Sequence, residues 1–259
     1  MVNIKSESEI KKMREAGIIA GNALHTGGQS IKPGMTTYEL DRIIHDYIVA
    51  QGAVPSFLNY EGFPASACIS VNDEVIHGIP SKKRKIKNGD IVSVDVGAYY
   101  NGYHGDTAYT FAVGNVSEDA RRLLEATNAS LYKGIEQAVA GNRVGDIGHA
   151  VEELITSYGY GIVRKYVGHG VGEQLHEAPE IPNFGNAGHG FRLSEGMVIA
   201  IEPMINLVGD DVRVLPNHWT VVTRSGSLAA HFEHTIAITS EGPVLLTKPT
   251  IPCEAPPGI

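Results

Sequence analysis

Two aspartates flank a tight turn in the segment VDVGAYYNGYHGD, which covers positions 94–106. The pair Asn101-Gly102 is typical of a two-residue hairpin turn, because both central positions of a type I′ turn need positive φ. In the resulting register, Asp95 and Asp106 project from the same face of the hairpin as diagonal neighbours. Two carboxylates in neighbouring positions repel each other unless they are protonated or bridged by a cation. The spacing therefore predicts a metal site.

Three further segments carry candidate ligands in apolar surroundings. Glu202 stands in AIEPMI, Glu233 in HFEHTIAI, and His169 between glycines in VGHGVG. Taken singly, such a histidine is more often structural than a ligand, and a strand glutamate can simply face solvent. Buried carboxylates without a partner cost several kcal/mol each, however, and a bound metal removes that cost. The clustering of four strand carboxylates favours the metal interpretation.

The donor set also indicates which metals and which chemistry to expect. Four carboxylates would balance the charge of two divalent ions. Carboxylates with one imidazole suit Mn²⁺, Fe²⁺, Co²⁺ or Zn²⁺ better than metals that prefer thiolate ligands. A pair of such ions can lower the pKa of a shared water, so the predicted reaction is a hydrolysis.

The chain repeats itself at an offset of 107 residues. Positions 33–52 align with 140–159 as amphipathic helices that end in glycine, and 88–95 align with 195–202 as short strands that end in a carboxylate. We infer two similar halves related by a pseudo-twofold axis, with Asp95 and Glu202 delivered near that axis. The alternative is two ordinary core strands with unrelated acidic ends.

The periodicity predicts an α+β chain. Helices are expected at 7–30, 36–51, 117–140 and 145–158, and strands near 67–71, 91–98, 104–112, 162–166, 197–205, 219–224, 231–239 and 243–247. Ser117 is expected to cap the third helix. No flexible linker is visible, so we expect one catalytic domain over 1–259, with halves at about 10–115 and 116–247 and an irregular tail at 248–259.

Composition excludes several classes of protein. The net charge of −8 does not indicate a specific nucleic-acid-binding surface. The charged N-terminus is unlike a signal peptide, and no apolar run reaches the roughly 20 residues of a membrane span. The two cysteines, Cys68 and Cys253, are too few for a disulfide framework and fit a reducing compartment. A soluble cytoplasmic protein is expected.

Taken in order, VDVG, GDTAYTF, VGHGVG, HEAP, AIEP and EHT resemble the motifs of methionine aminopeptidases of the bacterial, type I class. The resemblance runs from about residue 5 to 247. It implies the pita-bread fold, in which the helices of two pseudo-twofold-related halves cover a central antiparallel sheet. It also implies a monomer that removes the N-terminal methionine from nascent proteins, preferentially when the second residue is small, with water activated by two divalent ions.

The resemblance further implies roles for individual residues. The metal ligands would be Asp95, Asp106, His169, Glu202 and Glu233. Glu202 would be the general base, His176 would stabilise the oxyanion, and His77 would hydrogen-bond the scissile amide. Besides these two histidines, the walls of the methionine pocket would be Tyr60, Phe63, Cys68, Leu175 and Trp219. Leu175 departs from the aromatic residue of the family at that position.

Two other functions use the same scaffold. One is an X-Pro peptidase such as prolidase or aminopeptidase P, although these usually carry a large extra N-terminal domain. The other is a metal-free binding protein or a creatinase-like amidinohydrolase. Separately, the basic run KKRKIK at 82–87 is either a solvated loop or a transient contact with ribosomal RNA where the nascent chain emerges. A membrane partner is not expected.

Overall fold

A computed structural model describes residues 2–251, so positions 252–259 of the expected tail, including Cys253, lie outside the described residues. The helices are α1 (Glu7–Ser30), α2 (Thr37–Ala50), α3 (Glu118–Glu136) and α4 (Val144–Tyr158). The strands are β1 (Val54–Pro55), β2 (Ala67–Val71), β3 (Glu74–Ile76), β4 (Ile91–Tyr100), β5 (Tyr103–Ala112), β6 (Gly161–Ile162), β7 (Gly168–Gly170), β8 (Glu177–Ile181), β9 (Val198–Ile201), β10 (Met204–Asn206), β11 (Val212–Val214), β12 (Val221–Thr223), β13 (Ala229–His231), β14 (Glu233–Thr239) and β15 (Gly242–Leu245).

All four helices form close to the predicted positions, and local chemistry explains where they begin. At the start of α1, the Ser6 side chain accepts a hydrogen bond from the Glu9 amide and the Glu9 carboxylate accepts one from the Ser6 amide. Ser117 caps α3 as predicted, because its side chain accepts from the Ala120 amide. Helix α3 ends at Glu136, earlier than predicted, since turns take over at the following residues.

A nine-stranded sheet organises the molecule, with β1, β4, β5, β14, β9, β7 and β8 in that order. In addition, β2 pairs with β4 and β15 pairs with β14, and every pair is antiparallel. The predicted hairpin between β4 and β5 is confirmed, since Asn101 has φ 51° and Gly102 has φ 90°. Its register places Gly97 opposite Asp106, as expected. The first half of the chain meets the second where β5 pairs with β14.

Two predicted long strands are each divided in two. The strand expected at 197–205 is interrupted after Ile201, because Pro203 has no amide hydrogen for a continuous ladder. The strand expected at 231–239 is interrupted at Phe232. The strand expected at 162–166 shrinks to β6, and β1, β3, β7, β8 and β11 were not predicted because segments this short carry little periodic signal.

The repeat in the sequence is also present in the structure. An isolated β-bridge joins Thr36 to Lys85 in the first half, ahead of α2. A second one joins Arg143 to Arg192, ahead of α4, and both of its residues are shifted by 107 positions. The fold is therefore the predicted α+β arrangement of two pseudo-twofold-related halves with helices against a central antiparallel sheet.

Each half has its own hydrophobic core on the helical side of the sheet. In the first half, α1 and α2 cover β2 and β4, while in the second α3 and α4 cover β9 and β14. Val92, Val94 and Val96 of β4 are buried under the helices, and Asp95 points to the opposite face because side chains alternate along a strand. The concave face away from the helices is thus free to carry polar chemistry. Within residues 2–251, the helices include none with the length and apolar character needed to span a membrane.

Candidate active site

Four carboxylates meet on the face of the sheet away from the helices. Asp95 comes from β4, Asp106 from β5 and Glu233 from the start of β14, while Glu202 follows β9 at the strand interruption. The Asp106 carboxyl lies close enough to Asp95 for its charge, after burial, to raise the pKa of Asp95. Ligand-type atoms of Asp106, His169 and Glu233 all lie within 4.8 Å of one another. The sequence-predicted ligands from both halves are therefore brought together.

These carboxyls cannot all be ionised without a cation. Burial, and then the charges of its neighbours, raises the pKa of Asp95, of Asp106 and of Glu233 well above the usual range, and burial raises the pKa of Glu202 to about 8. Among the described residues, no lysine or arginine forms an ion pair with any of them. One buried oxygen each of Asp95, Asp106 and Glu233 has no hydrogen-bond partner.

His169 has the tautomer that metal binding requires. Its Nδ1 lies 2.9 Å from the Gly170 carbonyl oxygen, and because a carbonyl only accepts, Nδ1 carries the proton. The lone pair is then on Nε2, which lies 3.5 Å from Glu202 Oε1 and 3.9 Å from Asp106 Oδ2. Burial lowers the pKa of His169 to about 3, so the ring is neutral. Carboxylate oxygens without hydrogen-bond partners, next to an imidazole lone pair, are suitable ligands for divalent metal ions.

The glycines that flank His169 are required by close packing. A Cβ at Gly168 would lie 2.3 Å from the Ala200 carbonyl oxygen, and one at Gly170 would lie 2.4 Å from the Ala178 carbonyl oxygen. Only residues without a side chain allow β7 to lie this near its neighbours. The motif VGHGVG therefore places His169 against the carboxylates through two obligatory close approaches.

A cavity of about 290 Å³ opens above the carboxylates. Its lining includes every residue predicted for a methionine pocket, namely Tyr60, Phe63, Cys68, Leu175 and Trp219. The rings of Phe63 and Trp219 meet edge to face at 5.1 Å, and Cys68 lies opposite Asp95 in the pairing of β2 with β4. The cavity is thus apolar on one side and acidic at its floor.

Both predicted substrate-facing histidines border this cavity. His77 has a positive φ of 57°, an uncommon conformation for a non-glycine residue, and its ring meets Trp219 edge to face at 6.2 Å. Burial lowers the pKa of His77 to about 4. His176 faces the open cavity with its ring centroid 4.2 Å from that of His169, and its pKa is also lowered by the surrounding protein atoms. Both imidazoles are neutral and can donate one N–H.

The sequence interpretation missed three residues at this site. His231 is buried with Nε2 3.4 Å from Glu202 Oε2, and the Asn183 side chain donates to the Glu202 carbonyl oxygen at 3.0 Å. Glu61 lies at the cavity mouth beside Tyr60. The available signal for His231 was its place two residues before Glu233 in HFEHTIAI. Asn183 and Glu61 carried no comparable signal.

Comparison with known proteins identifies the family of this chain. The family model described as Metallopeptidase family M24 matches residues 11–240. A methionine aminopeptidase of Clostridium acetobutylicum is 53% identical over 247 residues, covering 95% of this chain and 99% of that protein. The crystal structure of a methionine aminopeptidase from Thermotoga maritima superposes with a TM-score of 0.94 at 44% identity, covering 96% of this chain and 100% of that chain.

The X-Pro peptidases are more distant. A prolidase from Pyrococcus furiosus gives a TM-score of 0.76 at 29% identity, and the match covers 95% of this chain but 65% of the prolidase. The added length of the prolidase agrees with the extra domain expected for that class. On the family match and the full-length similarity, the chain belongs to metallopeptidase family M24, within its methionine aminopeptidases, which are metal-dependent hydrolases.

Proposed function

We propose that the chain removes the N-terminal methionine from nascent proteins, preferentially when the second residue is small, at a site that holds two divalent metal ions. The observation that carries this proposal is the convergence of four carboxylates, three of them on buried residues, and one imidazole lone pair at the floor of a cavity with an apolar wall. The preference for a small second residue rests on the resemblance to the type I class.

The residues that would hold the ions are Asp95, Asp106, His169, Glu202 and Glu233. Cobalt, manganese, iron or zinc would suit this set of carboxylates and imidazole. When bound, the ions supply Lewis acidity that lowers the pKa of water and polarises the scissile carbonyl. Bound cations would also offset the burial, and then the mutual repulsion, that raise the pKa values of Asp95, Asp106 and Glu233 in the protein alone.

The remaining chemistry belongs to side chains of the protein. Glu202 is the proposed general base, as the resemblance to the type I class implies, and would take up the proton of the attacking water. His176 donates a hydrogen bond to the oxyanion of the tetrahedral intermediate. His77 hydrogen-bonds the scissile amide and assists departure of the amine.

Selectivity for methionine is proposed to come from the apolar wall of the cavity. Phe63, Cys68 and Leu175 are buried in one cluster, with Tyr60 and Trp219 packed at its edge. An unbranched thioether fills an irregular apolar space and makes favourable contacts with aromatic rings. If the free amine of the substrate binds at the acidic floor, only the first peptide bond lies at the site. Cleavage is then limited to the first residue.

We also propose that the chain acts in the cytoplasm as a monomer and touches the ribosome transiently. Lys82, Lys83, Arg84 and Lys85 are exposed, and no ion pair joins any of them to another described residue. The Lys82 ammonium lies over the Tyr38 ring at 4.7 Å. If all four basic side chains are neutralised and the protein still co-sediments with ribosomes, this contact is wrong.

The decisive experiment is a metal-reconstituted cleavage assay. The wild-type chain, dialysed against chelator and reloaded with Mn²⁺ or Co²⁺, is expected to cleave Met-Ala-Ser. It should leave nearly intact a peptide that has proline second but does not begin with methionine. Asp106→Ala should abolish cleavage, whereas Asp46→Asn, on the exposed side of α2, should not change it. Preferential cleavage before proline would instead support an X-Pro peptidase.

A further inference from the structure

Besides lining the cavity, Tyr60 makes a polar contact with His176. Its hydroxyl oxygen lies 2.8 Å from Nδ1 of His176, and the two ring centroids are 5.2 Å apart. The backbone around Tyr60 is held by its own hydrogen bonds, from the Tyr60 amide to the Phe57 carbonyl at 3.0 Å and from the Phe63 amide to the Tyr60 carbonyl at 2.9 Å. The hydroxyl is therefore presented to His176 by a defined turn.

Chemistry decides the direction of this hydrogen bond. Burial, followed by the negative charges of Glu61 and Asp106, raises the pKa of Tyr60 above its usual value, so the phenol keeps its proton at neutral pH. A phenol oxygen is a weaker acceptor than an imidazole nitrogen, because its lone pair is shared with the ring. Tyr60 therefore donates and Nδ1 of His176 accepts. A neutral imidazole that accepts at Nδ1 carries its one proton on Nε2.

His169 and His176 therefore have opposite tautomers, because different groups hydrogen-bond to Nδ1 of each ring. The Gly170 carbonyl can only accept, so His169 has its proton on Nδ1 and a free lone pair on Nε2. The Tyr60 phenol donates, so His176 has its proton on Nε2. The ring centroids are 4.2 Å apart, and yet one ring offers a lone pair and the other offers an N–H. The first suits a metal ligand and the second suits an oxyanion donor.

We propose that Tyr60 is a positioning residue whose hydroxyl fixes His176 as the Nε2–H tautomer. The tautomer gives His176 a donor for the developing oxyanion and removes the lone pair that could otherwise make it a further metal ligand. This inference rests on the proposed function for the role of His176, but the tautomer itself does not depend on that function.

The tautomer is measured directly by NMR on zinc-loaded protein labelled with ¹⁵N at histidine. The ring signals of His176 are assigned by their absence in His176→Gln. The expected result is a protonated Nε2 and an unprotonated Nδ1 in the wild type, with loss of that pattern in Tyr60→Phe. Protonated Nδ1 in the wild type, or unchanged ring signals in Tyr60→Phe, would overturn the proposal.

Kinetics supply a second readout. Tyr60→Phe keeps the ring that lines the pocket, so KM for Met-Ala-Ser should stay within about twofold while kcat falls about tenfold, as expected for one lost hydrogen bond. In a His176→Ala background, where kcat is already lowered about 10²–10³-fold, the same change should have no further effect. Tyr38→Phe on α2 is the matched control and should leave both constants unchanged.

The outcomes separate the two proposals. If the wild type loaded with any of these metals does not cleave methionine peptides, the proposed function is wrong. The NMR experiment still determines the tautomer of His176 in that case. If the wild type cleaves them but Tyr60→Phe retains full kcat, or loses activity equally with and without His176, Tyr60 has no positioning role.

Discussion

Nε2 of His231 lies 3.4 Å from Oε2 of Glu202, while the other oxygen of Glu202 lies 3.5 Å from Nε2 of His169. The carboxylate therefore stands between two neutral imidazoles, one on each side. Glu202 lies in the break between β9 and β10, directly before Pro203. His231 is buried, and burial lowers its pKa to about 3.

Replacement of His231 by leucine is expected to lower kcat or metal affinity by about 10–100-fold, because Glu202 loses the imidazole that lies 3.4 Å from its carboxylate. Steady-state assays at saturating Mn²⁺, together with metal content after dialysis, separate the two effects. His149→Leu, on the exposed surface of α4, is the control. If both kcat and metal content are unchanged, His231 has no role in catalysis or metal binding.

Metal-free protein should lose stability as the pH rises from about 6.5 to 8. The carboxyl pKa of Glu202 is raised to about 8, so the folded protein holds a proton that the unfolded chain releases near pH 4.5. Stability therefore falls with pH until the folded pKa is passed. The buried histidines His77, His169 and His231, with pKa values of about 3–4, act in the opposite direction, but their contribution is complete above pH 6.5.

Urea unfolding of chelator-treated protein measures this effect. Glu202 alone accounts for a loss of about 2 kcal/mol over that interval, at 1.36 kcal/mol for each pH unit. Mn²⁺-loaded protein should show a much smaller change with pH and a higher urea midpoint. Its free energy of unfolding should rise by about 2.7 kcal/mol at a metal concentration one hundred times Kd. Equal pH dependence with and without metal would contradict the assignment of the carboxylates as ligands.

Glu61 should bias the site toward basic residues downstream of the cleaved bond. Its carboxylate is exposed at the cavity mouth, has no ion pair among the described residues, and acts electrostatically on His176. The wild type should prefer Met-Ala-Lys over Met-Ala-Glu, and Glu61→Gln should reduce the ratio of their kcat/KM values by about 2–5-fold. The effect should weaken in high salt. Met-Ala-Ser, which has no charged side chain, serves as control. If Glu61→Gln leaves the ratio of the kcat/KM values unchanged, Glu61 does not select basic residues.

Lys5 and Glu177 form a buried ion pair that anchors the N-terminal arm beside the segment of His176. The Nζ–Oε2 distance is 2.7 Å, and the side chains are 5% and 8% exposed. Lys5→Met should cost about 3 kcal/mol in urea unfolding, because Glu177 keeps a buried charge without its partner. The exposed pair of Lys133 with Glu136 provides the contrast, since Lys133→Met should change stability by less than about 0.5 kcal/mol. Equal effects would show that burial does not matter here.

Several features of the fold could be derived from the sequence because they depend on local chemistry. The pair Asn101-Gly102 determines the hairpin register, and the register alone puts Asp95 and Asp106 on one face. Amphipathic periodicity located all four helices, and α1 at Glu7–Ser30 agrees with its predicted bounds. The 107-residue repeat was readable because both halves use the same succession of glycine, helix and strand.

Other features were decided only by the tertiary structure. The short strands β3, β7 and β8 exist because distant segments pair with them, and nothing in so few residues specifies that pairing. The contact of His231 with Glu202 joins the end of β13 to the break between β9 and β10.

The tautomers of His169 and His176 follow the same division. Sequence motifs singled out both rings as candidates for the site. Which nitrogen carries the proton depends on whether a carbonyl or a phenol lies against Nδ1. The carbonyl against His169 belongs to the next residue, whereas the phenol against His176 belongs to Tyr60, 116 positions away in the chain. Periodicity and turn chemistry act over a few residues, so only tertiary packing brings Tyr60 to His176.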